Sequence, residues 1–382
     1  MGSRIARRLA EYGCDVLLLE KRQRLGGRVC CAGIIGLECL DAFDIDSNLV
    51  LRKLNSARLY SPAGKLIRLQ RRQDQAVVMD RAAFDLFMAE QAKTAGAEYI
   101  LNISVRNIKI GDDGVVVEAE SGSKRLQYEA RAAVIATGFG SKLTERVGLG
   151  KATDYVFGAQ AEVTAPGIEE VEIYTGGKVA PGFFGWLVPT SQPKALVGLM
   201  AHKSPQRYLE NFIERLRSEG KISGDFGAIC CRGITLKPPP KTYGRRLIIA
   251  GDAAGQVKPI TGGGIYFGLL SADIAADSLK KALEKDDLSA RSLAGYQRGW
   301  QDRLGREIRT GCRARRIYEK LNDGQIDSLL DIAVNGGIID ALVKADDLSF
   351  DWHGKAVARI LRRKALSSAL AVMKIPFRIG TG

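Results

Sequence analysis

Histidine is scarce in this sequence, since His202 and His353 are the only two among 382 residues. A histidine-based catalytic triad or zinc site has almost nothing to draw on, so we predict no metal centre. No apolar run approaches the roughly 20 residues that span a bilayer. Met1 opens directly onto a charged, helix-like pattern, which argues against a signal peptide.

Nucleic-acid-binding signatures and a disulfide framework are also missing. The seven cysteines include two adjacent pairs, Cys30-Cys31 and Cys230-Cys231, in a chain too long to need disulfides, which favours a reducing cytoplasm. The net charge of +14 is accompanied by no helix-turn-helix, zinc-finger or RNA-binding motif, so we predict no nucleic acid partner. Half of the excess positive charge lies after residue 353. A basic helix is predicted there over residues 354–372, which indicates either peripheral contact with an anionic membrane surface or a solvated terminal helix.

The most informative stretch runs from residue 246 to residue 277. Residues 247–250 form an apolar run typical of a buried strand, and GDAAG follows at once. Three glycines then precede a helix, leaving backbone N–H groups bare at the positive end of its dipole. Such a place attracts an anion or a flat electron-rich ring. The candidate binding residues here are Gly251, Asp252, Gly262, Gly263 and Gly264.

This pattern of strand, GDAAG, Pro259, Thr261, three glycines and helix resembles the flavin-binding signature of one flavoprotein class. That class includes para-hydroxybenzoate hydroxylase and the geranylgeranyl reductases. The resemblance implies FAD as the cofactor. It also implies that Asp252 meets the ribityl chain near the pyrophosphate and that residues 262–264 face the isoalloxazine ring.

The N-terminal segment reads as the second half of a dinucleotide-binding unit. A helix is followed by a strand that ends in Glu20, an acid positioned to bond the ribose of an adenosine, with Lys21 beside it. Of the preceding G-x-G-x-x-G turn only the last glycine, Gly2, is present. We therefore expect weak FAD binding or poor folding from the chain as written, repaired by an upstream in-frame extension. A truncated, inactive copy is the alternative.

Two further elements match the same flavoprotein class. Asp80-Arg81 precedes a helix in the form D-R-x-x-F-D, which implies that Arg81 reaches the pyrophosphate or ribityl region. A buried strand closes in Ala136-Thr137-Gly138, which in two-dinucleotide flavoproteins flanks the adenine half of FAD. Thr137 and Gly138 are therefore candidate cofactor residues.

Residues 29–34 resemble the V-x-C-G-x-G-I loop of the geranylgeranyl reductases, with Cys31 at the family's cysteine and Ala32 where glycine is usual. The resemblance implies that Cys31 borders the reacting alkene, as a proton donor or as part of the pocket wall. A buried, inert cysteine is the alternative.

Residues 184–189 resemble the Y-x-W-x-F-P element of the same reductases, which implies an apolar pocket for an isoprenoid chain. Phe184, Trp186 and Pro189 occupy the matching positions, with phenylalanine in place of tyrosine and Val188 in place of the usual aromatic residue. These side chains equally fit an ordinary sheet core.

The fold expected from these elements is α/β: a Rossmann-like FAD-binding domain of the glutathione-reductase type, an antiparallel β substrate domain and a helical C-terminal region. We assign residues 1–55, 79–150 and 240–290 to the first, residues 56–78 and 151–239 to the second, and residues 291–382 to the third. Within the third region one helix is predicted from Asp323 to Val343.

The function expected is an FAD-dependent oxidoreductase that reduces C=C bonds of a geranylgeranyl-type chain or isoprenoid lipid. No second dinucleotide site is evident in the sequence, so the external electron donor is undecided between NAD(P)H and a ferredoxin-type protein. A flavin monooxygenase of the same fold is the alternative enzyme. The Cys31 loop, the Phe184–Trp186 element and the basic C-terminal helices favour the reductase.

Overall fold

The computed structural model describes residues 1–27 and 29–362. Its helices are α1 (Gly2–Glu11), α2 (Leu37–Ala42), α3 (Arg81–Thr94), α4 (Leu143–Arg146), α5 (Pro205–Ser218), α6 (Ile265–Glu284), α7 (Ala290–Tyr318), α8 (Asp323–Asn335), α9 (Ile338–Val343) and α10 (Gly354–Arg362). The first strands are β1 (Leu17–Glu20), β2 (Ile34–Gly36), β3 (Val50–Leu54), β4 (Ser56–Tyr60), β5 (Leu66–Gln70), β6 (Ala76–Met79), β7 (Glu98–Leu101), β8 (Ser104–Ile110) and β9 (Val115–Ser121). The others are β10 (Lys124–Ala130), β11 (Ala133–Ile135), β12 (Tyr155–Thr164), β13 (Val171–Thr175), β14 (Phe184–Pro189), β15 (Lys194–Ala201), β16 (Cys230–Thr235), β17 (Tyr243–Gly244) and β18 (Leu247–Ile249).

The chain divides into two compact units. The first contains Met1–Val29, Arg81–Tyr155 and Gly233–Ile308, and the second contains Cys30–Asp80, Val156–Arg232 and the chain from Arg309 on. Within the described residues, no helix combines the length and apolar character needed to cross a membrane.

The first unit holds parallel strand pairs of the kind expected for a dinucleotide-binding domain. β1 pairs in parallel with β7, and β11 pairs in parallel with β18, whose three residues are completely buried. β8, β9 and β10 form a separate antiparallel sheet. Helix α1 is tied to α6 by the ion pair between Arg4 and Asp273, at 2.6 Å. A Cβ added at Gly251 would lie 2.9 Å from the Met1 side chain, so the N-terminus of α1 lies near the loop that follows β18.

The second unit is built on a seven-stranded sheet in the order β16-β12-β15-β14-β13-β4-β5. β12, β15, β14 and β13 pair antiparallel in turn, β4 runs parallel to β13, and β5 returns antiparallel to β4. A smaller antiparallel sheet has the order β2-β6-β3. Helix α5 covers one face of the large sheet, because a Cβ added at Gly185 would lie 2.9 Å from the Phe212 ring. The predicted α/β fold with an antiparallel sheet is confirmed.

The unit boundaries differ from the predicted domains at residues 30–55. The prediction placed these residues with the first domain, whereas they pack in the second unit. The reason is strand pairing, since Ile34 lies opposite Val78 and the Met79 N–H donates to Gly33 O at 3.0 Å. Local sequence patterns do not specify such pairing between distant segments.

The C-terminal helices also differ from the predicted separate region, because from Arg309 on they belong to the second unit. The Arg71 guanidinium donates to Val343 O at 2.8 Å, and Asp351 accepts the Gly36 N–H at 3.1 Å. The single helix predicted from Asp323 to Val343 is wrong, since it breaks into α8 and α9 at Gly336 and Gly337. Gly337 has a φ of 64°, a left-handed conformation that ends the helical run.

Gly255, at the end of the GDAAG turn, has a backbone that only glycine tolerates. Its φ is 63°, and an added Cβ would lie 2.7 Å from Pro238 N and 2.8 Å from Lys237 O. We expect Gly255→Ala to lower the free energy of unfolding in urea by about 3 kcal/mol, because left-handed strain adds to a clash with rigid backbone. Gly122→Ala is the control, with a φ of 58° and open space around its Cβ, and should cost about 1 kcal/mol. Equal losses in both variants would contradict the clash.

Candidate active site

The predicted cofactor residues of the first unit lie at the carboxyl ends of parallel strands. Glu20 ends β1, Ala136-Thr137-Gly138 follow β11, and Gly251 follows β18 after one residue. Gly2 belongs to the same region, because a Cβ added there would lie 3.5 Å from both the Ala136 Cβ and the Leu18 side chain. Ligands of open α/β sheets bind at this edge.

The loop after β18 and the start of α6 form a narrow cradle of backbone. Gly251 and Gly262 have φ values of 70° and 69°, in the left-handed region. A Cβ added at Gly264 would lie 2.7 Å from the Asp252 carboxylate, and one at Gly263 would lie 2.9 Å from Lys258 Cε. The close approach of Asp252 to the glycine backbone therefore requires residues without side chains.

The N-terminus of α6 is electrostatically suited to an anion or an electron-rich ring. Its N-cap residue, Gly264, provides no side-chain hydrogen bond, and its first turn contains no acidic residue. The buried Lys258 beside Gly263 adds positive charge. The Gly262 N–H donates to Lys258 O at 2.8 Å and the Gly263 N–H donates to Thr261 Oγ1 at 3.4 Å. The helix dipole and the lysine therefore provide the fit to the phosphate and ring of a flavin nucleotide.

Two buried polar residues that the sequence analysis missed brace this loop. The Gly251 N–H donates to Gln256 Oε1 at 2.8 Å, Gln256 Nε2 donates to the Tyr296 hydroxyl at 2.7 Å, and that hydroxyl donates to Ile249 O at 2.8 Å. Burial raises the pKa of Tyr296, so the hydroxyl stays neutral. The only sequence signal was a glutamine directly after the GDAAG turn.

The remaining predicted cofactor residues make contacts within their own segments. The Glu20 carboxylate accepts the Arg22 N–H at 2.9 Å, while Lys21 and Thr137 are exposed. Arg81 forms an ion pair with Asp85 at 2.9 Å, and its guanidinium lies 5.0 Å from the centre of the Phe84 ring. The predicted role of Arg81 toward a pyrophosphate requires its guanidinium to be shared with, or released from, Asp85.

In the second unit, hydrogen bonds anchor the Cys31 loop to the large sheet. The Gln160 Nε2 on β12 donates to Cys31 O at 3.2 Å. The Gly33 N–H donates to the Cys31 sulfur at 3.4 Å, so one backbone dipole already faces the thiol. Ala32 and Trp186 pack against the same apolar cluster, which includes Val78. The structure therefore brings the loop and the aromatic element together.

The thiol of Cys30 has surroundings that suppress its ionisation. Its sulfur donates to Cys230 O at 3.3 Å, and the Cys230 sulfur donates to Gln160 O at 3.3 Å. A hydrogen bond with the Cys230 thiol, followed by burial, raises the pKa of Cys30 far above its usual value. Cys30 therefore remains a protonated thiol at neutral pH, and Cys31 is the better candidate for proton transfer. This contact between two distant cysteine pairs was not predicted.

The aromatic element of β14 contributes Phe184 and Trp186 to one face of the sheet, because alternate side chains point the same way. Trp186 lies on Gly198, where an added Cβ would be 2.5 Å from the indole ring, whereas Gly185 faces α5. Pro189 was predicted to line the same pocket, but alternation places it with Gly185, on the face that α5 covers. That grouping of Pro189 therefore needs correction.

Comparison with known proteins bears on this arrangement. No family model matches the chain. A digeranylgeranylglycerophospholipid reductase of Methanosarcina acetivorans is 32% identical over 351 residues, covering 86% of this chain and 85% of that protein. The chain belongs to the digeranylgeranylglycerophospholipid reductase family. It is therefore an oxidoreductase, and the predicted family and enzyme class are confirmed.

Solved structures agree with this fold. A geranylgeranyl bacteriochlorophyll reductase-like protein of Thermoplasma acidophilum superposes with a TM-score of 0.84 at 23% identity, covering 97% of this chain and 95% of that chain. The flavin-dependent halogenase CmlS superposes with a TM-score of 0.66 at 15% identity, covering 94% of this chain and 74% of that chain. The reductase thus has a fold that flavin-dependent enzymes also use.

Proposed function

We propose that this reductase binds FAD in its first unit and saturates C=C bonds of geranylgeranyl-type chains on an isoprenoid lipid. Membership of the digeranylgeranylglycerophospholipid reductase family carries the proposal, since the relatives are named for that substrate. The glycine cradle around Asp252 supports the cofactor. The monooxygenase alternative receives no support from the family.

Residues of the cradle would hold the flavin. Asp252 would accept a ribityl hydroxyl near the pyrophosphate, and residues 262–264 would let the ring approach the backbone without steric clash. Glu20 would accept the ribose hydroxyls at the adenosine end, as acids at the end of this strand do in dinucleotide-binding units. When bound and reduced, FAD would supply hydride for the alkene.

The second unit would supply an apolar surface and a proton for the lipid substrate. Phe184 and Trp186 offer an apolar surface to the polyprenyl chain. Cys31 would give up its thiol proton, and the Gly33 N–H directed at its sulfur would stabilise the thiolate that remains. Cys31 is thus the residue for which we propose a catalytic role.

We also propose an external electron donor, either NAD(P)H or a ferredoxin-type protein, and a peripheral contact of the basic C-terminus with anionic lipid. Of the C-terminal basic residues that are described, Arg359 is ion-paired with Asp347 at 2.7 Å, and Lys355 is exposed. The other predicted basic residues of this segment lie in or beyond the last turn of α10, outside the described side chains. Each basic residue near an anionic surface contributes roughly 1 kcal/mol.

Asp252→Ala tests the cofactor proposal. We expect at least a tenfold weaker FAD affinity in titrations followed by flavin absorbance, because a charged hydrogen bond contributes about 1.5–3 kcal/mol. Asp225→Ala, at an exposed position, is the matched control and should bind FAD normally.

Lipid products are then analysed by mass spectrometry for the gain of two hydrogens per reduced bond. Equal FAD affinity in both variants would remove Asp252 from the site, and FAD binding without any lipid reduction would overturn the substrate.

A further inference from the structure

Two buried polar atoms on the Trp186 face of the large sheet lack hydrogen-bond partners among the described residues. They are Oε1 of Gln160 and Nε1 of Trp186. Gln160 is only 3% exposed, so water at the protein surface does not reach its side chain. A buried acceptor and a buried donor left in this state are costly, which indicates that a ligand satisfies them.

The register of three strands places these atoms close together. Gln160 on β12 and Trp186 on β14 both lie opposite Gly198 on β15, so the three residues form one row with a common face. The indole covers Gly198, since a Cβ added there would be 2.7 Å from Nε1. The Trp186 donor therefore lies about one strand spacing, roughly 5 Å, from the strand that carries Gln160.

The orientation of the Gln160 amide follows from its other hydrogen bond. Nε2 donates to Cys31 O at 3.2 Å, and a carbonyl oxygen only accepts, so the remaining polar atom is the acceptor Oε1. The face thus presents one N–H donor and one C=O acceptor that are not bonded to each other. Both lie beside the Cys31 loop.

We propose that Gln160 and Trp186 bind one neutral hydroxyl group, which accepts from the indole N–H and donates to the amide oxygen. A phosphate would be repelled by Oε1, an ammonium by the indole N–H, and a hydrocarbon would satisfy neither. Water and a glycerol hydroxyl of the lipid share the required chemistry. Any part that this subsite plays in lipid reduction rests on the proposed function. The binding of a hydroxyl group does not.

Gln160 then has a second role as a positioning residue. One side chain connects the bound hydroxyl, through Oε1, to the carbonyl of Cys31, through Nε2. Loss of either contact shifts the loop that carries the proposed proton donor. The subsite therefore links occupancy of this face to the placement of Cys31.

Crystal structures of the full chain, without lipid and with a diether glycerophospholipid bearing a free glycerol hydroxyl, test the proposal. We expect oxygen density within about 3 Å of both atoms. Water in both crystals identifies a water site, and a lipid hydroxyl in the second identifies a headgroup subsite. Absence of such density, or a direct bond between the two side chains, overturns the proposal. No turnover is needed, so this outcome is independent of the proposed reaction.

Trp186→Phe removes the donor and keeps an aromatic ring. We expect the oxygen density to disappear. If the occupant is the lipid hydroxyl, KM for that lipid should rise about tenfold relative to KM for its deoxy analogue, which lacks the oxygen. Trp352→Phe is the control, because its indole N–H donates to Glu38 on another part of the second unit. Persistent density in Trp186→Phe would contradict the assignment.

Discussion

Replacing Cys31 by alanine is expected to lower the rate of alkene reduction by about 10²–10⁴-fold, the usual contribution of a positioned proton donor. Bound FAD should be unaffected, because Cys31 is not among the residues that we propose to hold the cofactor. The structure supports Cys31 over its neighbour, since the pKa of Cys30 is raised by the Cys230 thiol and by burial. Single-turnover reduction of lipid by the prereduced enzyme isolates this step from electron supply.

The control for this experiment is Cys231→Ala. Cys231 is exposed and belongs to the other adjacent cysteine pair, so its loss should leave the rate unchanged. A rate for Cys31→Ala close to that of the unmodified protein would mean that the proton reaches the alkene from another group. The proposed role of Cys31 would then be limited to lining the pocket.

Lys221→Met is expected to lower the free energy of unfolding by about 3–5 kcal/mol, the effect of removing one partner of a buried ion pair. Glu172 is only 1% exposed, and the Lys221 Nζ lies 2.8 Å from its carboxylate and 2.7 Å from the Tyr174 hydroxyl. The Tyr60 hydroxyl donates to the same carboxylate at 3.2 Å. Burial, and then the bond to Glu172, raise the pKa of Tyr174, which keeps it a neutral donor.

Without Lys221, the cation left beside the Glu172 carboxylate is the more distant Arg58 guanidinium, at 3.8 Å, and the carboxylate cannot reach water to recover its solvation. Lys194→Met is the matched control, because it removes a lysine from an exposed ion pair with Glu162 at 2.7 Å and should cost less than about 1 kcal/mol. Urea unfolding of both variants makes the comparison. The double variant Glu172→Gln/Lys221→Met should recover part of the loss, because it removes the buried charge as well. Similar losses in Lys194→Met and Lys221→Met would show that burial of the pair is unimportant.

The residues of the glycine cradle could be recognised before the structure was known because their signals are local. A buried strand, a turn of small residues and a helix start lie within one continuous stretch, and the backbone demands of Gly251 and Gly262 follow directly from it. The alternating pattern of the second unit likewise identified an antiparallel sheet. Family membership then confirmed the predicted class of enzyme.

Other features depend on which distant strands become neighbours. The contact of Cys30 with Cys230 joins segments 200 residues apart. Gln160 drew no attention in the sequence, because its relation to Trp186 arises only through Gly198 on the strand between them. Pro189 fitted a pocket motif by position in the chain, but alternation along β14 turned it toward α5.

By itself, the sequence determined the local chemistry of this protein: the glycine-rich cradle with its single carboxylate, the acid that ends β1 and the cysteine loop. The first two follow from backbone conformation and short-range periodicity, which neighbouring residues specify, whereas the cysteine loop was identified by its resemblance to the geranylgeranyl reductases. Only the tertiary structure decided which face each side chain occupies, which thiols meet, and which buried donor and acceptor are left for a ligand, because strand pairing brings together residues that no local pattern connects.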